Sequence, residues 1–177
     1  TLVENYSVET NGIPYGQLPP TMLWCDTRRG HEKYVWYNPP GRRRMYFKES
    51  LHIEDGEFNL PGIIYVVEKD RLNVHAFKGE RPEANDRLYK APYFNTNATS
   101  GGVCLGNASL QAPQNPTFNQ WLKYWEKRFW MSEFSHLGSG GNPTRSNLVL
   151  VTEKARNAPF DESELKLSGK QLKDLLT

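Results

Sequence analysis

The sequence predicts an α+β fold in which an antiparallel sheet comes first and a helix packs against it. Three observations carry this prediction. From 20 to 78, apolar runs rich in β-formers are broken by Gly, Pro and charge at short intervals. From 79 to 116 that pattern gives way to an irregular stretch containing Pro82, Pro92, Pro113 and Pro116. In "TFNQWLKYWEKRFW", Trp121, Trp125 and Phe129 then recur at i, i+4 and i+8, an aromatic stripe on one helix face.

Each element follows from local chemistry. "TMLWCDTR" and "YVWYNPPGRRRMYF" supply strands, and "NPPG" reads as a turn or edge distortion between two of them, because proline cannot donate to a ladder. "GIIYVVEKDRLNVHAFKG" reads as a hairpin turning near Glu68 to Arg71, with Leu72, Val74 and Ala76 on one face and Asn73, His75 and Phe77 on the other. The sum is an antiparallel meander of four strands. The long segment after it is read as an ordered loop, since Tyr89, Tyr93 and Phe94 supply packing surface. Thr117 and Gln120 have the spacing of a capping box at the start of the aromatic helix. "HLGSGGNPT" ends that helix with flexible glycines and leads to "SNLVLVTEK", read as a fifth strand or a buried extended segment. Ser168 and Gln171 repeat the capping-box spacing before a short final helix at "LKDLL".

At 177 residues, with 37% hydrophobic and 12% aromatic content, the chain is sized for one folded domain over 1–177. Residues 1–19 are expected to form an irregular N-terminal segment. The chain opens without Met, which suggests that the start of the natural chain has been trimmed. A formal charge of +2 gives no strong global field toward nucleic acid or anionic lipid. The longest apolar run, "IIYVV", is far short of the roughly 20 residues that cross a bilayer. No secretory signal is visible, and two widely spaced cysteines outside any C-x-x-C pair suit a reducing compartment, so the expected location is cytoplasmic. Cys25 and His31 lack a second ligand pair, so neither a metal nor a cofactor is expected.

Cys104 lies between a Gly-Gly pair and a further glycine, past a proline-aromatic step and short polar residues. The segments "LYKAPYFN" and "GGVCLGN" resemble the active-site region of the ubiquitin-conjugating enzymes. Together with "PPGRRRMYF" and "GGNPTRSNLVL" they look more closely like the prokaryotic family D branch, PRTRC system protein B, over roughly residues 20 to 155. The resemblance implies a fold of ubiquitin-conjugating type, with the meander followed by an active-site loop and a packed helix. The helix that opens eukaryotic members has no counterpart in 1–19.

The resemblance also implies a chemistry. Cys104 would accept the C-terminal glycine of a ubiquitin-like protein as a thioester from a ThiF-like adenylating enzyme and pass it to an amine. A deconjugating JAB-type peptidase would belong to the same system. Thiols suit this work because the thiolate is strongly nucleophilic and the thioester stays reactive toward amines. The tetrahedral oxyanion needs a hydrogen-bond donor, whose loss costs about 3 kcal/mol. The relatives' His-Pro-Asn is replaced here by "PYFNTN", which leaves Asn95 and Asn97 as alternative donors. Tyr93, Phe94 and Leu105, beside the thiol, are candidates for contacting the partner protein.

Other readings stand beside this one. Cys104, like Cys25, can serve as a packing residue. His136 can tune the thiol, which would admit a cysteine hydrolase, or can cap the end of the aromatic helix. His31, His52 and His75 are expected at surface or half-buried positions. Arg42, Arg43 and Arg44 can guard a strand edge or contact phosphate, the latter only if Tyr37 and Tyr46 share an exposed face with them. Three functions therefore compete: a thioester-forming conjugation enzyme, a catalytically silent relative that binds a ubiquitin-like protein, and a nucleic-acid-associated factor of a mobile element.

Overall fold

The computed structural model describes residues 13–106 and 110–177. In chain order its elements are β1 (Met22–Asp26), β2 (Lys33–Asn38), β3 (Gly41–Phe47), β4 (Gly56–Leu60), β5 (Gly62–Glu68), β6 (Arg71–Phe77), β7 (Arg87–Lys90), α1 (Phe118–Trp130), β8 (Glu133–Phe134), α2 (Leu148–Lys154) and β9 (Leu167–Gln171). The result is mixed α+β. A six-stranded sheet has the order β1-β2-β5-β6-β7-β9, antiparallel throughout, and a second sheet has the order β4-β3-β8. The four-stranded meander expected from sequence is thus too small. Pro39 and Pro40 fall between β2 and β3, where the ladder loses its donors, and the β3–β4 hairpin leaves the main sheet before β5 returns beside β2.

Period-two alternation divides the main sheet into two apolar faces. Tyr34, Trp36, Ile63, Tyr65, Val67, Leu72 and Val74 enter one core with α1 and the β3–β4 hairpin. Val35, Tyr37, Ile64, Val66 and Phe77 face the other side, where Leu172 and Leu175 of a 3-10 turn cover them. Burial on both faces explains why "IIYVV" reads as an unbroken apolar run.

Helix α1 begins with the expected reciprocal capping box: the Gln120 N–H donates to Thr117 Oγ1, and the Thr117 N–H donates to Gln120 Oε1. Its buried face is Phe118, Leu122, Trp125, Phe129 and Trp130, whereas Trp121 is only partly covered. One buried polar chain ties this helix to the sheet. Trp130 Nε1–H donates to Tyr65 Oη (2.7 Å), Tyr65 Oη–H to Asn38 Oδ1 (2.7 Å), and Arg43 to the same oxygen (2.6 Å). Trp36 Nε1–H donates to Glu126 (3.1 Å), whose carboxyl is pushed above its usual range by burial, against the pull of Arg43 and Trp36.

Two expectations for the C-terminal third are corrected. "SNLVLVTEK" is not extended: Asn147 accepts from the Val149 N–H (2.9 Å) as an N-cap, and Leu148, Val151 and Thr152 bury the i, i+3, i+4 face of α2. A short apolar run rich in β-branched residues fits either state by pattern alone. Ser168 lies within β9 and donates to the Leu88 carbonyl (3.0 Å), and the capping box before the final turn is Gln171 with Asp174. The irregular segment expected for 1–19 lies outside the described residues as far as residue 12, and 13–19 contain no helix. Among the described residues no helix is long and apolar enough to cross a membrane.

Trp125 is 1% exposed at the centre of the helix–sheet contact. Trp125→Ala is therefore expected to lower unfolding free energy by about 3–5 kcal/mol, read as a shifted urea midpoint with little change in slope.

Candidate active site

Strand β7 pairs with β6 only at His75 and Ala76, so the first half of β6 has a free edge. The cysteine segment fills it. Gly102 pairs with Asn73, the Val74 N–H donates to the Gly101 carbonyl (2.8 Å), and the Val103 N–H donates to the Leu72 carbonyl (3.0 Å). The ladder continues outward. Val103 pairs with Thr96, the Asn97 N–H donates to the Gly102 carbonyl (2.8 Å), and the Cys104 N–H donates to the Asn95 carbonyl (2.7 Å). On the far side, the Asn95 N–H donates to the His136 carbonyl and the Ala98 N–H to the Ser139 carbonyl, each 2.8 Å. Cys104 therefore lies at the end of a bridged extension of the main sheet, its own N–H held by Asn95.

Val103 and Leu105 pack against the core, while Cys104 between them is exposed. Alternation along an extended chain produces this directly: two anchors inward, one thiol outward. Cys25, in β1, is half-buried against the same core, and burial first, then Asp26, pushes its thiol pKa up.

The two asparagines hold different positions. Asn95 is 6% exposed and has φ +57°, a left-handed backbone that asparagine tolerates better than most residues. Its Nδ2 donates to the Glu133 carbonyl (3.0 Å), and its Oδ1 accepts from the Ser135 N–H (2.9 Å), Ser135 Oγ (3.2 Å) and the His136 N–H (3.4 Å). The carboxamide is thus occupied in pinning residues 133–136. Asn97 is different. Its Oδ1 accepts from the Thr99 N–H (2.8 Å) and the Ser100 N–H (2.9 Å), and among the described residues its Nδ2 makes no hydrogen bond. With Thr96 opposite Val103, register places Asn97 opposite Gly102 on the same face as Cys104, two pairs along. Gly102 has no side chain to fill the space between them.

The remaining candidates divide cleanly. Tyr93 and Phe94 are 1% and 2% exposed, with edge-on contacts to Phe129 and Trp130 and to Phe47, so they are core residues and not partner-contact surface. Leu105 is partly buried. His136 is exposed, with Nδ1 2.8 Å from Ser135 Oγ, and no hydrogen bond links its ring to the thiol. Its backbone lies two ladder steps from Cys104, about 10 Å away. Neither does it cap α1, which ends at Trp130 with Lys127 and Arg128 in the last turn. His75 is buried at 3% exposure, deeper than the surface or half-buried position expected of it.

Two of the three arginines are engaged within the protein. Arg42 donates to the Arg156 and Glu57 carbonyls, Arg43 belongs to the buried chain around Asn38, and only Arg44 of the three projects outward without such a bond, over the Tyr46 ring. Tyr37 is buried against Phe77, so the aromatic groove a nucleic-acid reading requires is not formed there. Among the described residues no cluster of three His, Cys, Asp or Glu can hold a metal ion.

Sequence reasoning missed the role of "GSGG". A Cβ on Gly138 would lie 2.1 Å from the Thr96 carbonyl oxygen, so this segment lies backbone against backbone on the asparagine strand. Gly101, at φ +81°, likewise approaches the Val74 carbonyl and the His75 ring.

The sequence matches prokaryotic E2 family D over residues 1–168. The chain belongs to this family. No curated protein and no solved structure shows significant similarity to it. E2-like membership indicates a ubiquitin-conjugating-like role, a transferase of the conjugating type, and partners of the ubiquitin-like and activating-enzyme classes.

Two predictions test the local physics. Gly138→Ala must push residues 96–97 away, and is expected to destabilise by about 1–3 kcal/mol and to raise hydrogen exchange at the Asn95 and Cys104 amides. Burial first, then Lys170, lowers the His75 pKa to about 4. The unfolded chain binds this proton near pH 6.5 and the folded one does not, so stability falls as pH drops from about 6.5 to about 4. The full loss is about 3 kcal/mol, and urea midpoints of wild type and His75→Gln should converge or cross over that window.

Proposed function

We propose that the protein carries a ubiquitin-like protein as a thioester on Cys104 and delivers it to an amine. The observation that carries this reading is a thiol exposed in an extended segment that is hydrogen-bonded to β6 on one side and to residues 95–97 on the other. A protein tail has open access to such a sulfur, and the sulfur is already fixed before the tail arrives. The thiolate attacks the activated tail carbonyl, a C–S bond forms, and the activating enzyme's thiolate leaves. Later an amine adds to the carbonyl, loses its proton, and expels the Cys104 thiolate as the amide forms.

Both steps pass through an oxyanion, and the asparagines divide the labour. Asn97 is the donor: its Oδ1 is held by two backbone N–H groups and its Nδ2 is unengaged among the described residues, which is the preorganisation an oxyanion site needs. Asn95 is a positioning residue, with its carboxamide spent on residues 133–136 and its carbonyl on the Cys104 amide. The partners of this reading are a ubiquitin-like protein and a ThiF-like activating enzyme, with a JAB-type peptidase for removal.

Incubation with the activating enzyme, the ubiquitin-like protein and ATP is expected to yield a reductant-sensitive adduct that Cys104→Ala abolishes. Discharge onto free lysine should slow about 100-fold in Asn97→Ala with the fold unchanged. Asn95→Ala should lower thermal stability and impair loading and discharge together. Equal, purely structural effects of the two asparagine variants would remove the donor role from Asn97, and no adduct on the wild-type thiol would leave a silent binding relative.

A further inference from the structure

Register determines what shares the thiol's face. Gly102 is opposite Asn73, so Val103 lies with Leu72 and Val74 toward the core, and Cys104 falls on the other face with Arg71, Asn73 and His75. Arg71 occupies the register position across from Cys104, and both are exposed. Lys90 is the cross-strand partner of His75 and therefore lies on this face too. Lys170 is close enough to His75 for its charge to oppose protonation of the ring. The carboxylates in the Arg71 row are Glu68, which stands between Arg71 and Lys33, and Asp26, on the far side of Lys33. Among the described residues Arg71, Lys90 and Lys170 form no ion pair. By register Arg71 is the charged residue that faces Cys104 across the ladder, with Lys90 four residues along β6 and Glu68 one strand further out.

Cations on a flat face steer and select rather than grip. They raise the encounter rate of acidic partners and lower that of basic ones, and the effect fades with salt. We propose that Arg71, backed by Lys90 and Lys170, is a specificity determinant that receives a carboxylate-bearing stretch of the ubiquitin-like protein next to its tail, so that acidic donors load onto Cys104 in preference to basic ones. This deepens the thioester-carrier reading and rests on it.

The test has two arms on the whole chain. In the first, Cys104 is alkylated with iodoacetate, an anion, or iodoacetamide, which is neutral, and the product is followed at that residue by peptide mass spectrometry. The iodoacetate-to-iodoacetamide rate ratio should fall about threefold in Arg71→Gln, the effect of one charge some 7 Å away through water. It should fall further when Lys90→Gln is added, and should approach the variant value at high salt. In the second arm, synthetic ethyl thioester peptides ending in Gly-Gly, with Asp or Lys just before, are offered to the protein. The thiolate attacks the thioester carbonyl, a new C–S bond forms, and ethanethiolate leaves and takes up a proton. The Asp peptide should load faster than the Lys peptide, and Arg71→Gln should erase the difference. A ratio indifferent to Arg71, or equal loading of the two peptides by wild type, overturns the proposal. A ratio that responds to Arg71 with no loading of either peptide overturns the carrier reading instead, and the specificity role falls with it while the field at the sulfur stands.

Discussion

The backbone of Asn95 is the constraint on which the site depends. Its amide is bonded to the His136 carbonyl and its carbonyl to the Cys104 amide, so one residue joins the helix-exit segment to the cysteine segment. Because the cysteine segment is bonded in turn to Leu72 and Val74 of β6, position 104 inherits the rigidity of the central sheet. The left-handed backbone at Asn95 costs free energy in itself. The carboxamide offsets that with bonds to Glu133, Ser135 and His136, which is more than an exposed loop asparagine makes.

This arrangement resolves a conflict between order and access. A nucleophile that must meet another protein has to be exposed, and exposed segments are usually mobile. Here Val103 and Leu105 enter the core on either side of the thiol, and backbone ladders on both flanks supply the order that burial would otherwise supply. The close approach of residues 138 and 140 to the asparagine strand completes the outer flank, which is why both are glycines. The helix contributes from behind: the chain from Trp130 through Tyr65 to Asn38 and Arg43 fixes where α1 ends, and so where residues 133–136 start.

What could be read from the sequence was what depends on near neighbours. The β5–β6 hairpin, the break at Pro39 and Pro40, and the capping box at Thr117 and Gln120 are decided within a few residues, and the structure has all three where the pattern puts them. The α2 helix was missed because seven residues, with β-branched Val149, Val151 and Thr152 among them, carry no usable period. The last capping box was misplaced by three residues because Ser168 and Gln171 share its spacing while their backbone belongs to β9. At the site, the resemblance points to Cys104 and leaves Asn95 and Asn97 as alternatives. The distinction between them rests on Glu133, Ser135 and His136, about forty positions away, and on a positive φ that no local pattern announces. Tyr93 and Phe94 supply the packing expected of the loop, but their place beside the thiol in sequence does not make them partner contacts, because the chain turns both inward to meet α1 and β3.

The proposal that most needs testing is that the Cys104 sulfur is the atom that receives the acyl carbon from the activating enzyme. Cys104→Ser tests it most directly, since a hydroxyl at the same position forms an oxygen ester in place of a thioester. With the activating enzyme, the ubiquitin-like protein and ATP, intact-mass analysis of this variant should show an adduct heavier by the ubiquitin-like protein less one water, stable to reductant and cleaved by hydroxide. An adduct that keeps its sensitivity to reductant in Cys104→Ser, or whose attachment maps to Cys25, would contradict the account.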